Sequence, residues 1–269
     1  MTPYVFFRLA QEMHREGKGL YLRKTIPEKE DGIRYLKKLY GASITQHDID
    51  YGKRLIQVLA VAEQSAEEIV CLADPLCYVS HLSAMQRWGL TNRSSKALLC
   101  SRPARKIATP RLSQMMAKHP YGDLPDRFRL YYIKHPETVR GRPVRVFESK
   151  VEGASIAVRD SPVRLATIGQ TFLDMLQQPR LCGGMSHVLD IYDEHATTWL
   201  DEIVTSVDSA RTNLVKIRAG YILEEQLRLH HDKINGWKGL VQRGGGCKLD
   251  PSKAYSPVFS ENWMISLNA

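Results

Sequence analysis

Gly183-Gly184-Met185-Ser186, followed by Asp190 and Asp193, is the part of this sequence that comes nearest to a nucleotidyltransferase site. Such a site needs a Gly-Ser turn for phosphate and two carboxylates one residue apart for Mg²⁺. Here Met185 separates glycine from serine, and the aspartates stand three apart on one helix. A helix start capped by Ser186 is the simpler reading. His230-His231-Asp232 has metal-ligand types, but adjacent residues on a helix point in different directions, so a solvated helix end is expected. Gly244-Gly245-Gly246 lacks the Lys-Ser/Thr of a phosphate loop and reads as a turn. His47-Asp48-Ile49-Asp50 reads as an exposed acidic turn without an evident partner. Asp174 is expected in a structural ion pair with Arg164. His81 and Ser83, on one short helix, imply no nucleophile–base pair. No catalytic residue, metal site or cofactor is expected.

Charge is the informative property. The chain has 38 Lys and Arg against 29 Asp and Glu, a net of +9. Residues 93–150 alone hold 14 basic and 4 acidic residues, a net of +10, so the remainder is close to neutral. A basic block of this kind attracts an anionic partner, of which nucleic acid is the commonest. A solvated basic face, or an acidic protein partner, accounts for the same numbers. The cations assigned to an anionic partner are Arg102, Arg105, Lys106, Arg111, Arg140, Arg142 and Arg145.

No apolar run approaches the ~20 residues of a membrane span, and the first ten residues lack the basic leader of a signal peptide. Five cysteines without CxxC or zinc spacing are expected as buried thiols in a cytoplasm.

Residues 4–15 read as a helix, 20–23 as a short strand, and Pro27 opens a second helix carrying Ile33, Leu36, Leu39 and Tyr40 and closed by Gly41. Residues 49–61 are apolar without deciding between helix and strand. Asp74-Pro75 stops the preceding element. A short helix then carries Leu82, Met85 and Trp88, with Ser80 capping its first turn through the hydroxyl and Gly89 ending it. Strands are expected at 96–100 and 131–134, a helix opened by Pro110 over 111–118, and paired strands at 144–147 and 155–158. Helices follow at 168–176, 185–193, 199–207 and 213–231, and the last ~20 residues read as a wrapping tail.

Three blocks carry a resemblance. Tyr78-Val79-Ser80-His81-Leu82-Ser83-Ala84 with Trp88-Gly89-Leu90 is similar to the opening of the AbiEi antitoxin family. The second block is Val163-Arg164-Leu165-Ala166, Thr171-Phe172-Leu173-Asp174-Met175-Leu176, Pro179 and Cys182-Gly183-Gly184. The third is the tail, from Arg243 through Pro251 to Ser260, Trp263 and Ser266-Leu267-Asn268. The resemblance implies an antitoxin, not an enzyme, of a type IV phage-defence system. Such a protein opposes an AbiEii nucleotidyltransferase toxin and represses the shared operon by binding duplex DNA upstream of it. It also implies an α+β fold, with residues 1–69 helical or as a divergent winged helix and residues 70–269 as the antitoxin domain. Lys37 and Lys38, on the helix at 28–40, would then be tested first for base contacts. A nucleic-acid-acting enzyme and a plain protein-interaction module are the competing classes.

Overall fold

The structure, a computed structural model, describes residues 1–16, 29–60, 62–118, 124, 126–241 and 246–269. The expected strand at 20–23, the helix start at Pro27, and Gly244-Gly245 lie outside the described residues. The elements in chain order are α1 (Pro3–Arg15), α2 (Lys29–Gly41), β1 (Thr45–Asp48), β2 (Gly52–Val58), α3 (Ala66–Ala73), β3 (Tyr78–Val79) and α4 (His81–Arg87). Then come β4 (Leu98–Pro103), α5 (Arg105–Ala117), β5 (Thr138–Val139), β6 (Arg142–Ser149), β7 (Ser155–Ala157) and β8 (Arg164–Ala166). The rest is helical, α6 (Ile168–Gln177), α7 (Met185–His195), α8 (Leu200–Asp208), α9 (Asn213–Gly220) and α10 (Asp232–Trp237), before a closing hairpin of β9 (Phe259–Ser260) and β10 (Ile265–Ser266). The fold is α+β. Among the described residues no helix is long and apolar enough to cross a membrane.

Two compact units divide the chain. The first is Met1–Tyr78 with Ser101–Glu152 and Ala157–Arg164; the second is Val79–Cys100, Gly153–Ile156 and Leu165–Ala269. The first unit is discontinuous because its apolar core is assembled from both parts: Tyr4, Phe7, Leu36 and Ile56 with Leu112, Phe128 and Leu130. Phe7 stacks on Phe128 with ring centroids 4.5 Å apart. The ambiguous stretch after residue 49 resolves as β2, paired antiparallel with β1. α3 begins with a reciprocal capping box, Ser65 Oγ accepting from the Glu68 amide while Glu68 accepts from the Ser65 amide.

The six-stranded sheet has the order β5-β6-β4-β3-β8-β7. The expected pairing of 144–147 with 155–158 does not occur. β6 pairs with β5 through a two-residue turn at Arg140-Gly141, both left-handed, the geometry a tight hairpin requires. β7 turns back onto β8 instead, through left-handed Asp160, with the Val158 amide donating to Val163 O. Residues 131–134 are not a strand either. The Ile133 and Lys134 carbonyls accept from the side chains of Arg102 and Arg54 rather than from a ladder. α5 starts at Arg105, so Pro110 lies inside the helix rather than at its opening.

In the second unit α4 and α6 to α10 enclose a core containing Met85, Phe172, Leu176, Tyr192, Ile203 and Trp263. Ser80 is the N-cap of α4, but its hydroxyl makes no capping bond and lies 2.8 Å from His81 Nδ1 instead. Gly89 is left-handed as expected. Likewise α7 is preceded by Gly184 without a side-chain cap, so Ser186 is inside the helix. The long helix at 213–231 is interrupted: α9 passes into a π-helical turn over Tyr221–Gln226, and His231 caps α10 by accepting from the Lys233 amide.

Candidate nucleic-acid interface

The first unit sorts its cations into two populations. Arg102 is buried, donating to Asp74 Oδ2 at 3.0 Å, to Glu148 Oε1 at 3.1 Å and to Ile133 O at 2.7 Å. Its guanidinium also covers the Tyr132 ring, 3.8 Å from the centroid. Asp74 receives a further bond from His135 Nε2 at 3.2 Å, and His135 Nδ1 lies 2.8 Å from the Tyr51 hydroxyl. A carboxylate only accepts, so His135 donates through Nε2 to Asp74. Burial works to raise the Asp74 pKa, but the bonds from His135, the Leu76 amide and Arg102 outweigh it and hold the carboxyl below its ordinary value.

Arg140 is bound to Asp48 and Asp50. The acidic turn at 47–50, expected to be exposed, therefore has a partner, and Asp48 is buried. Arg142 lies 3.3 Å from Glu67 and is half-buried. Arg102 and Arg140 are thus corrected from anion-binding to structural residues: their charges are already neutralised inside the fold. The remaining assigned cations are at the surface. Arg105, Lys106, Arg111 and Arg145 are exposed, Arg111 sharing a loose 3.7 Å pair with Glu152. Arg105 and Lys106 form the first turn of α5, whose N-cap Ala104 supplies no side-chain acceptor. Two cations beside the positive end of the helix dipole are unfavourable by themselves.

On α2, Lys37 and Lys38 are exposed, as is Arg34 one turn earlier. The opposite face is buried at Gly32 and Leu36. Gly32 lies so close to Phe7 that an added Cβ would meet the ring at 2.7 Å, so α2 is seated tightly and its basic face is directed outward. The hairpin of β1 and β2 follows directly.

Sequence reasoning missed a second group. A cavity of about 520 Å³ in this unit is lined by Lys53, Arg54, Arg127, Arg129 and Lys134. The signal was present in Arg127-Phe128-Arg129-Leu130-Tyr131, where exposed and buried residues alternate. Phe128 and Leu130 enter the core and leave the two arginines and Tyr131 outside.

No family model matches the chain, and the curated proteins contain no match to it.

In the second unit the described residues of the three resemblance blocks contact one another. Val79 of the first pairs in parallel with Leu165 of the second, and Trp88 Nε1 donates to Ala166 O at 2.9 Å. Buried Arg218 donates to Leu176 O of the second block and to Lys248 O of the third, at 2.9 and 3.0 Å. The expected pair of Asp174 with Arg164 is absent. Asp174 accepts from Gln170 Nε2 at 2.7 Å, while Arg164 donates to the carbonyls of Cys71, Asp74 and Cys77. Burial pushes the Asp174 carboxyl up to about 7, against the opposing bonds from Gln170 and the His81 amide. Asp190 and Asp193 are on the solvent side of α7. Among the described residues no three His, Cys, Asp or Glu side chains gather to hold a metal.

Proposed function

We propose that this chain is a non-catalytic antitoxin of the AbiEi kind, acting in the cytoplasm, which binds duplex DNA at its own operon and opposes a nucleotidyltransferase toxin. The observation that carries the DNA half is the face of α2, where Arg34, Lys37 and Lys38 stand together opposite a buried seat on Phe7. The order helix, helix, two-stranded hairpin supports a winged helix-turn-helix reading, in which α2 would be the helix that enters the major groove. Arg105, Lys106, Arg111 and Arg145 supply cations for phosphate contacts, which position a protein without reading sequence. Supporting the antitoxin half, the three blocks that resemble the family pack on one another through Val79, Trp88 and Arg218.

Gel shifts with the DNA upstream of the protein's own reading frame test the first half. Binding should weaken with salt, and Lys37→Glu with Lys38→Glu should abolish preference for that DNA. Arg105→Glu with Lys106→Glu should weaken binding to all duplexes alike and reduce the salt slope by about one unit per lost phosphate contact. A wild-type protein that binds no duplex at low salt overturns the regulator reading. Co-expression with the product of the adjacent reading frame tests the second half, rescue of growth being the expected result. Turnover of nucleotides with Mg²⁺ and RNA, lost in Asp190→Ala, would overturn the non-catalytic reading.

A further inference from the structure

The walls of the 520 Å³ cavity in the first unit include no residue of α2 or α5. Its cations are therefore not those assigned above to the duplex, although Lys53 and Arg54 belong to β2 of the hairpin. We propose that this cavity binds a free nucleotide, with its phosphates on the arginines and lysines and its base on Tyr131.

Size is the first argument. Small-molecule sites occupy roughly 300–1,000 Å³, and this cavity falls within that range. Charge is the second. Lys53, Arg54, Arg127, Arg129 and Lys134 converge on one concavity with no carboxylate in its lining. Asp126, outside the lining, holds an exposed 3.4 Å pair with Arg129. Asp74 and Glu148, beside the wall at Ala73 and Tyr132, are already paired with Arg102. Like charges crowded this way repel, and a compact polyanion relieves all of them together. A nucleoside polyphosphate has that chemistry.

The third argument is the aromatic wall. Tyr131 is 56% exposed, yet its hydroxyl is anchored by a 2.6 Å bond to Asp126 O. An exposed ring held at one end is a stacking platform for a base, and stacking tolerates any base. Leu130 and Ile133 add apolar wall beside it. The cations are also held in place. Phe128 and Leu130 pin the segment between them, and Arg54 donates to the Lys134 carbonyl at 3.4 Å. A bare phosphate chain would use the cations alone; only a nucleotide uses the tyrosine as well.

The test is calorimetric titration of the full chain with ATP, with GTP and with inorganic tripolyphosphate. Saturable one-to-one binding of the nucleotides is expected. Arg127→Ala and Lys134→Ala should each weaken nucleotide and tripolyphosphate by about tenfold, the worth of one charge-assisted contact. Tyr131→Ala should weaken nucleotide by about tenfold and leave tripolyphosphate unchanged. All three positions are at the surface, and unchanged thermal midpoints establish that the variants fold. Lys37→Glu with Lys38→Glu should leave nucleotide binding intact while weakening duplex binding, so the two readings fail separately. The proposal is overturned by absence of saturable binding, by indifference of nucleotide affinity to Tyr131→Ala, or by an equal loss in the α2 variant, which would mark a nonspecific basic surface.

Discussion

Arg140 and Asp50 meet through both backbone and side chain. The Arg140 amide donates to Asp50 Oδ2 at 3.1 Å, and the guanidinium binds the same carboxylate and that of Asp48. Arg140 also holds a left-handed backbone, with φ of 52°, at the tip of the β5–β6 hairpin. A residue with a Cβ pays about 1–2 kcal/mol for that conformation, so the carboxylates must hold what the turn alone would resist. The contact fastens the β1–β2 turn to a hairpin some ninety residues later in the chain.

Arg140→Ala should therefore destabilise the protein by about 3–5 kcal/mol, because it strands Asp48 in the interior without its cation. Arg105→Ala, at the surface, should stay within about 0.5 kcal/mol. Urea midpoints of the two variants provide the comparison. Burial works to raise the Asp48 pKa, but Arg140 and the amides of Tyr51 and Asp50 outweigh it and hold it below the ordinary value. Its contribution is present above the unfolded pKa and is lost on acidification through the folded one. Asp48→Asn should remove that part of the acid sensitivity, at the cost of lower stability at neutral pH.

Ala104→Asp should stabilise the chain by about 1 kcal/mol. Ala104 already has the extended backbone of an N-cap, with φ of −59° and ψ of 153°, and lacks only the acceptor. Thermal unfolding measures the gain. The added carboxylate should also draw on Arg105 and Lys106, so duplex affinity should fall while stability rises.

Two buried groups of the second unit titrate in opposition. Burial pushes Asp174 up to about 7 and His81 down to about 4. A carboxyl whose folded pKa is raised makes stability fall as pH rises between the unfolded and folded values. A histidine whose folded pKa is lowered makes stability rise over its own interval. The wild type should thus be nearly flat between pH ~4 and ~6.5, with each variant exposing the other group. Asp174→Asn should gain stability with rising pH, and His81→Asn should lose it, each by up to about 1.4 kcal/mol per pH unit. Asn suits position 81, where φ is 52°. Denaturation series at pH 4.5, 5.5 and 6.5 read the slopes, and parallel profiles for all three proteins would contradict the assignment.

Gly220→Ala should be among the most damaging small substitutions. A Cβ there would lie 2.1 Å from the far edge of the Trp263 ring, which is fully buried. Overpacking of this kind costs about 1–3 kcal/mol or more. Trp263→Leu removes the clashing atoms, so the double variant should be less unstable than the sum of the single ones. A double-mutant cycle in urea gives the coupling.

Local pattern alone determined α1, α2, α6, α7 and α8, because an amphipathic 3.6-residue period is written in consecutive residues. Asp74-Pro75 and Gly89 were equally plain, since proline and left-handed glycine act on their own neighbours. The α+β class was legible too. Which strands pair was not: β6 and β7 alternate alike, and only the left-handed turns at Arg140 and Asp160 choose their partners. Nor could net charge say which cations are available. Arg102 and Arg105 are three residues apart and look alike in sequence, yet one is buried against Asp74 and Glu148 and the other is exposed. That difference depends on carboxylates 28 and 46 residues away from Arg102. Likewise Lys53 and Arg54 join Arg127, Arg129 and Lys134 around one cavity only because Phe128 docks on Phe7. Electrostatic neutralisation acts through space, so the tertiary structure decided which half of the basic block is free to meet a partner.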